Sequence, residues 1–127
     1  SGECVIVYPE GTLTRDPDLW PMSAKSGAVR IALMSGRPLI PLAHWGAQHI
    51  MRPYKKELRI IPRKRIEIRI GTPIDLSDLP TGDLSPETMR IGTERLMDAI
   101  TALLAEIRQE QPPATRFIWK RTSKGEQ

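Results

Sequence analysis

The sequence predicts an α/β fold with a mixed, largely parallel sheet flanked by helices. Residues 5–8 form an uninterrupted apolar run that stops at Pro9, which is typical of a strand buried on both faces. Residues 66–70 alternate Ile with charged residues, which predicts a half-exposed strand with its three Ile facing the core. Residues 86–110 carry apolar side chains at helical spacing and predict a long helix that packs on the sheet.

The first half of the chain is predicted to contain one strand and one helix. The strand covers about residues 4–8 and ends at Pro9, because proline has no N–H to donate to a neighbouring strand. A helix is predicted over residues 24–35, with Ser23 as its N-cap and Gly36 as its C-terminal stop.

The second half is predicted to add two strands and the long helix. The strands cover about residues 38–44 and 65–71, and Pro41 inside the first of them indicates a bulge or a place where pairing is interrupted. A further strand is possible from the pattern near residues 58–61. The last helix is expected to begin after Ser85, since that residue is a good N-cap and a proline follows it.

Length and composition indicate one small domain or part of a larger one. The chain has 127 residues, of which 39% are hydrophobic and 5% aromatic, a lean composition for a self-sufficient core. Cys4 is the only cysteine, so no intrachain disulfide forms, and its place before a strand predicts a core position. No cluster of Cys, His and acids indicates a metal site. A net charge of +4 favours anionic partners.

Polar residues follow the first predicted strand directly. They are Glu10, Gly11, Thr12 and Arg15, at the strand end where open α/β sheets usually hold their ligands. For Arg15, a solvated loop position is an equally good interpretation. Glu10 is expected either to hydrogen-bond a ligand hydroxyl or to fix the turn, because its charge disfavours direct contact with a phosphate.

Two residues at the start of the predicted second element are unfavourable for a helix. Lys25 faces the positive end of the helix dipole, an effect of ~0.3–1 kcal/mol, and Gly27 inside a helix costs roughly 1 kcal/mol relative to Ala. Both are explained if an anion binds there, held by the Lys25 ammonium and by amides that Gly27 leaves accessible. The alternative is that the helix begins later and that Lys25 is an exposed loop cation.

Three motifs in order resemble a known family. Tyr-Pro-Glu-Gly-Thr at residues 8–12 resembles the aromatic-Pro-Glu-Gly-Thr signature of the lysophospholipid and 1-acylglycerol-3-phosphate acyltransferases. Residues 25–27 resemble the downstream Lys-x-Gly element of that family, and residues 38–42 are similar to its Pro-x-x-Pro block. The sequence departs from the family at Leu13, where Arg is usual.

The resemblance implies an incomplete catalytic domain. The catalytic His-x4-Asp element of the family lies N-terminal to these motifs, whereas this chain has only His44 and His49, neither followed by Asp at that spacing. We therefore interpret residues 1–111 as the C-terminal part of an acyltransferase domain and residues 112–127 as a basic tail. No catalytic residue is assigned to this chain, and the isolated chain is expected to be inactive.

The resemblance also implies a reaction and a location for the parent enzyme. It would transfer a fatty acyl group from acyl-CoA or acyl-ACP, without a further cofactor, to a glycerophosphate or lysophospholipid hydroxyl in phospholipid biosynthesis. The acceptor would be held by residues of this chain: Glu10, Gly11, Thr12, Arg15, Lys25 and Gly27. The expected location is the cytoplasmic side of the cell membrane, either peripheral or anchored through an upstream segment.

Two other functions compete with this interpretation. Residues 52–69 contain eight Lys or Arg against two Glu, which is either a solvated loop or a surface attracted to an anionic membrane. A non-catalytic module that binds phosphate or anionic lipid would need no His-x4-Asp. A nucleic-acid binder ranks third, because aromatic residues for base stacking are not interleaved in this segment, and no nucleic acid is expected as a partner.

Overall fold

The computed structural model describes residues 2–80 and 82–120, and it confirms a mixed α/β architecture within them. Its elements, in chain order, are α1 (Gly27–Ser35), β1 (Leu42–Trp45), α2 (Ala47–Ile50), β2 (Glu67–Ile70) and α3 (Pro86–Arg108).

The sheet differs from the predicted one. In the described part of the chain it consists of β1 and β2, paired antiparallel with Leu42 opposite Ile70 and Trp45 opposite Glu67. The prediction of a largely parallel sheet is therefore wrong for this structure. Near residues 58–61 the structure has only a single antiparallel bridge, between Met51 and Leu58.

The first predicted strand does not form. Residues 4–8 have no strand pairing, and Val5 and Ile6 are 71% and 79% exposed. An extended segment becomes a strand only when a neighbour satisfies its backbone N–H and C=O groups, and none lies beside it here. Cys4 is likewise exposed, so its predicted core position is also wrong.

The strand β2 turns a different face to the core than predicted. Ile66, Ile68 and Ile70 are all exposed, whereas Arg69 on the opposite face pairs with Glu106 of α3 at 2.8 Å. The alternation of the sequence is real, but α3 covers the face that carries the charged residues. The prediction that the three Ile face the core is therefore wrong.

The strand β1 is shorter than predicted because Pro41 precedes it. Proline has no N–H for the ladder, and β1 begins at the next residue, Leu42. The Pro41 carbonyl still accepts a hydrogen bond from the Gly71 N–H at 2.9 Å. Of the two predicted effects of Pro41, the structure shows the interruption of pairing and not a bulge within β1.

The helix α3 confirms its predicted start. Ser85 is extended at the N-cap, its hydroxyl accepts a hydrogen bond from the Thr88 N–H, and a proline opens the first turn. Asp83 reinforces the cap by accepting from the Ser85 N–H and the Thr88 hydroxyl at 2.9 Å each. The helix ends at Arg108, and its C-cap residue, Gln109, adopts a left-handed conformation.

The helix α1 begins three residues later than predicted. Its N-cap is Ser26, which makes no side-chain capping bond, while Gly36 ends it in a left-handed conformation as predicted. Ser23 lies in the preceding loop, where its N–H donates to the carbonyl of Phe117 at 2.8 Å. Lys25 therefore precedes the helix, and the predicted conflict with the helix dipole does not arise.

The core lies between α1, α3, β1 and the loop that precedes α1. Its most deeply buried side chains are Met22, Val29 and Met97. At the crossing of the two helices, a Cβ on Gly92 would lie 2.5 Å from Cγ1 of Val29, so glycine permits this close approach. The site described next lies on the loop that this core supports.

Candidate anion-binding site

A tight turn brings Lys25 against the segment that follows residues 4–8. The Gly11 N–H donates to the Tyr8 carbonyl at 3.0 Å, and the Lys25 N–H donates to the Pro9 carbonyl at 2.8 Å. Gly11 has a φ of +70°, a conformation that favours glycine. A Cβ on Gly11 would lie 3.6 Å from Nζ of Lys25, so the ammonium group lies directly against the turn.

Glu10 holds the turn to the core. Its Oε2 accepts a hydrogen bond from the Met22 N–H at 3.0 Å. Burial raises the pKa of Glu10, and the Met22 N–H and the positive charge of Arg116 oppose that rise. Of the two predicted roles for Glu10, the hydrogen bond to Met22 corresponds to fixing the turn.

The loop between the turn and Lys25 is anchored by its own polar groups. The Thr14 hydroxyl donates to the Trp20 carbonyl at 2.7 Å, and Asp16 Oδ2 accepts from the Trp20 N–H at 3.0 Å. The Trp20 ring is buried and packs against the Arg108 guanidinium, whose Cζ lies 4.0 Å from the ring centroid. The loop conformation is thereby coupled to the end of α3.

Arg15 lies between two aromatic rings. Its Cζ is 4.9 Å from the Tyr54 ring centroid and 4.8 Å from the Trp119 ring centroid. The Tyr54 hydroxyl donates to the Leu13 carbonyl at 3.0 Å, which ties this arrangement to the loop. Stacking uses the faces of the guanidinium group and leaves its N–H donors in the plane free for an anion.

A pocket of about 400 Å³ opens beside Arg15. Arg52 and Lys55 contribute further positive charge to its wall. Gln48 also lines it and has a buried Nε2 without a hydrogen-bond partner in the described chain. A donor-rich pocket of this kind suits an anionic group.

A larger pocket of about 610 Å³ lies elsewhere, between residues 71–78 and α3. Its cation, Arg95, is already engaged in a two-point ion pair with Asp78, with N–O distances of 2.6 and 2.7 Å. Its other charged lining residues, Asp75 and Glu106, are acids. This pocket is the larger one but is not suited to an anion.

The remaining predicted site residues are close to the turn in sequence or in space. Thr12 is exposed directly after Gly11, and Lys25 is exposed as well. Gly27 opens α1, and a Cβ there would meet nothing within 4 Å. The structure thus brings Glu10, Gly11 and Lys25 together and places Arg15 in the neighbouring aromatic cluster.

Neither histidine forms a catalytic pair with a carboxylate in residues 2–80 and 82–120. His44 is exposed on β1 opposite Ile68, and the His49 ring makes an edge contact with Trp45 at a centroid distance of 6.4 Å. Across the same residues, no three His, Cys, Asp or Glu cluster as metal ligands. No described helix is both long and apolar enough to cross a membrane.

Sequence reasoning missed the residues that support Arg15 and Glu10. Tyr54 and Trp119 stack on Arg15, and Arg116 lies near Glu10 while pairing with two acids of α3, Glu94 and Asp98. Single aromatic residues within basic stretches were the available signal, but no local pattern gives their distant partner.

The segment around Trp119 docks on the loop through backbone pairing. Met22 and Phe117 form a single parallel bridge, which brings residues 116–119 beside the loop before α1. The division into a domain over 1–111 and a basic tail over 112–127 stays a prediction, and residues 121–127 of that tail lie outside the described residues.

A family model described as Acyltransferase matches residues 1–45. The matched region includes the turn, Lys25, α1 and β1. Comparisons with curated proteins and with solved structures gave no significant match. The family match supports the acyltransferase family and, in general terms, acyl transfer by the protein that contains this segment.

Proposed function

We propose that this chain is the acceptor-binding part of an O-acyltransferase of the 1-acylglycerol-3-phosphate type. The parent enzyme moves a fatty acyl group from acyl-CoA or acyl-ACP to a hydroxyl of a glycerophosphate or lysophospholipid in phospholipid biosynthesis. The family match over residues 1–45 supports acyl transfer. The observation that carries the acceptor assignment is the exposed Lys25 ammonium, which lies against the Gly11 turn.

The acceptor phosphate is proposed to bind between Lys25 and the start of α1. Lys25 makes no ion pair with an acid among the described residues, and Ser26 leaves the first amides of α1 without a side-chain cap. Free amides at a helix N-terminus attract anions. Because Gly27 has no side chain and faces open space, a phosphate oxygen can approach these amides closely.

Arg15 is proposed to bind a second part of the same head group. Its position between Tyr54 and Trp119 restrains the guanidinium group, which lowers the entropy lost when it binds an anion. The exposed Thr12 adds a hydroxyl next to the turn. The pocket beside Arg15 offers room for the remainder of the acceptor.

The proton-accepting group is proposed to lie outside this chain, in the His-x4-Asp element of the parent. That histidine would take the proton of the acceptor hydroxyl as its oxygen attacks the thioester carbonyl. Collapse of the tetrahedral intermediate breaks the C–S bond, and the thiolate takes up the proton. Neither His44 nor His49 is paired with a carboxylate of the described residues, and the isolated chain is expected to show no turnover.

The membrane is proposed as the source of the acceptor. Residues 52–69 carry eight of the 19 Lys and Arg residues of the chain against only two Glu, and each Lys or Arg near an anionic surface contributes about 1 kcal/mol of attraction. On this basis we propose that the parent enzyme acts at the cytoplasmic side of the cell membrane.

The acceptor assignment is tested by the kinetics of Lys25→Ala in the parent enzyme. Loss of a charge-assisted contact of about 1.5–3 kcal/mol raises the acceptor KM roughly 10- to 100-fold. The donor KM is expected to stay within about twofold, because the donor does not contact Lys25. Arg37→Ala, which removes an exposed cation just beyond α1, is the matched control. Equal increases in both KM values would count against the assignment.

A non-catalytic phosphate-binding module is the second candidate. It is favoured by the absence of a His–carboxylate pair in the described residues, since binding needs no base. Turnover by a longer protein that includes this segment would exclude it, whereas phosphate binding by that longer protein without turnover would support it.

A further inference from the structure

A long loop joins α2 to β2 and projects apolar side chains into solvent. We call residues 51–65 the basic loop. Ile61 is 91% exposed and Ile60 is 63% exposed. Leu58 and Met51, which form an antiparallel bridge just before them, are more than half exposed as well. Such a concentration of exposed large apolar side chains in one loop marks an interaction surface.

Positively charged residues lie on both sides of these isoleucines in the sequence. The loop contains Lys or Arg at seven positions, which are Arg52, Lys55, Lys56, Arg59, Arg63, Lys64 and Arg65. Its one acid, Glu57, pairs with Arg59 at 2.9 Å. The basic loop therefore combines exposed apolar side chains with a large excess of positive charge.

We propose that the basic loop docks on an anionic lipid bilayer, with Ile60 and Ile61 inserted between the head groups. Apolar residues enter the interfacial region while Lys and Arg remain at the level of the lipid phosphates. This inference deepens the membrane part of the proposed function by assigning the contact to one segment and by adding insertion to electrostatic attraction.

Charge distinguishes this loop from the other exposed apolar surfaces. Residues 5–8 are equally exposed but have Glu3 and Glu10 on either side. The open face of the sheet presents Leu42, Ile68 and Ile70. Among these described surfaces, the basic loop alone combines exposed apolar side chains with several Lys and Arg residues, which matches an anionic bilayer.

A nucleic acid fits the same loop less well. Binding of single strands uses exposed aromatic faces on which bases stack, whereas the one aromatic residue of the loop, Tyr54, is occupied with Arg15 and Leu13. The exposed Ile60 and Ile61 have no role in contacts to a phosphate backbone.

The position of the loop links membrane docking to the candidate site. Arg52 and Lys55, whose backbones are joined by a turn, form part of the pocket beside Arg15. The segment proposed to contact the bilayer therefore also contributes to the wall of that pocket.

The test measures vesicle binding by the whole chain. Co-sedimentation is carried out with phosphatidylcholine vesicles that contain about 30 mol% phosphatidylglycerol, and with pure phosphatidylcholine as the uncharged comparison. The double variant Ile60→Ser/Ile61→Ser is expected to lower the partition coefficient on charged vesicles about tenfold or more. Arg63→Gln/Lys64→Gln is expected to lower the partition coefficient on charged vesicles. The ratio of the coefficients on charged and neutral vesicles is expected to fall as well.

The matched control substitutes exposed apolar residues of α1. Ile31 and Met34 are 51% and 68% exposed, and Ile31→Ser/Met34→Ser is expected to leave partitioning within about twofold of the parent chain. Circular dichroism of each variant checks that its helix content is unchanged. An equal loss in the α1 variant would overturn the assignment to the basic loop.

Insertion is tested separately with a fluorescent probe. In a Cys4→Ser background, a nitrobenzoxadiazole group attached to Ile61→Cys is expected to shift to the blue on charged vesicles, while the same group on Met34→Cys is not. No shift at position 61, or tighter competition by single-stranded RNA than by lipid, would overturn the proposal. Because these assays contain no acyl donor, their failure leaves the role of Lys25 in acyl transfer untouched, and failure of the kinetic test leaves vesicle binding untouched.

Discussion

The two faces of the small sheet have opposite environments although they alternate along the same two strands. On one face Ala43 is 3% exposed, and Trp45 packs in the core cluster with residues of α3. On the other face Leu42, Ile68 and Ile70 are 42%, 61% and 67% exposed. The more hydrophobic face is thus the open one. Hydrophobicity shows that a strand has two faces, but the packing partner decides which of them is buried.

The largest difference between the faces is expected for truncation of a buried leucine. Leu104 of α3 is 6% exposed and packs on the covered face. Leu104→Ala should lower the free energy of unfolding by about 2–5 kcal/mol, because it removes buried contacts and leaves a cavity. Ile70→Ala on the open face should cost less than about 1 kcal/mol. Urea denaturation of both variants measures this contrast, and equal losses would refute it.

The second largest effect is expected at Arg108, which holds the covered face to the loop. Its Cζ lies 4.0 Å from the Trp20 ring centroid and 4.2 Å from that of Trp45, and its side chain is 8% exposed. Arg108→Ala should cost about 3 kcal/mol through lost cation–π contacts and the hydrogen bond to the Asp18 carbonyl. Arg108→Lys should recover only part of this loss, because an ammonium group cannot stack between both rings.

Arg37→Ala, at an exposed position, is the control. If Arg108→Ala lowers the stability no more than Arg37→Ala does, the contacts of Arg108 with the two rings do not stabilise the fold. Thermal unfolding of the three variants in parallel provides the measurement.

A smaller effect is expected at Glu10, at the turn. Glu10→Ala leaves the buried Met22 N–H without a partner and should cost about 1–2 kcal/mol. Glu10→Gln keeps an acceptor and should cost less. Burial raises the pKa of Glu10 above its usual 4.5, so the native state binds this proton more tightly than the unfolded state. The stabilisation that comes from this tighter proton binding is therefore fully present below pH 4.5. It is lost as the pH rises through the pKa of Glu10 in the native state.

The free energy of unfolding is measured against pH for the unmodified chain and for Glu10→Gln. The difference between the two curves gives the pH-dependent stabilisation that Glu10 provides. A difference that falls with rising pH agrees with a raised pKa, and one that rises with pH contradicts it.

The smallest effect is expected at the exposed Asp78–Arg95 pair. Its hydrogen bonds with Arg95 lower the pKa of Asp78 from 3.8 to about 2. The stabilisation is present above pH 3.8 and is lost as pH falls toward about 2. Asp78→Asn should remove the part of the fall in melting temperature at acidic pH that is due to Asp78. It should leave the melting temperature at neutral pH almost unchanged. A steeper acid loss in the variant than in the parent chain would contradict the lowered pKa.

Elements with local signals were predictable from the sequence. Ser85 and the proline after it specify the start of α3, and Gly36 specifies the end of α1, because capping depends on neighbouring residues alone. The turn at residues 8–12 and Lys25 were also identified from short motifs. Their proximity follows from the backbone bond between Lys25 and Pro9.

Features that depend on distant contacts were not predictable. Strand pairing and the covered face of the sheet depend on where α3 packs. The alternation of Ile with charged residues along β2 does not reveal that position. The stacking of Tyr54 and Trp119 on Arg15 joins three separate segments. The start of α1 was placed too early because Ser23 has the chemistry of a cap, but its N–H is used by Phe117.

The most direct test of the phosphate site is a titration of the chain with glycerol 3-phosphate followed by NMR. The amide signals of Gly11 and Gly27 are expected to shift on binding. Lys25→Gln should weaken the affinity about tenfold or more, whereas Arg37→Gln should bind as tightly as the unmodified chain. If Lys25→Gln binds glycerol 3-phosphate unchanged, or if neither glycine amide shifts at saturation, the turn and Lys25 do not form an acceptor site.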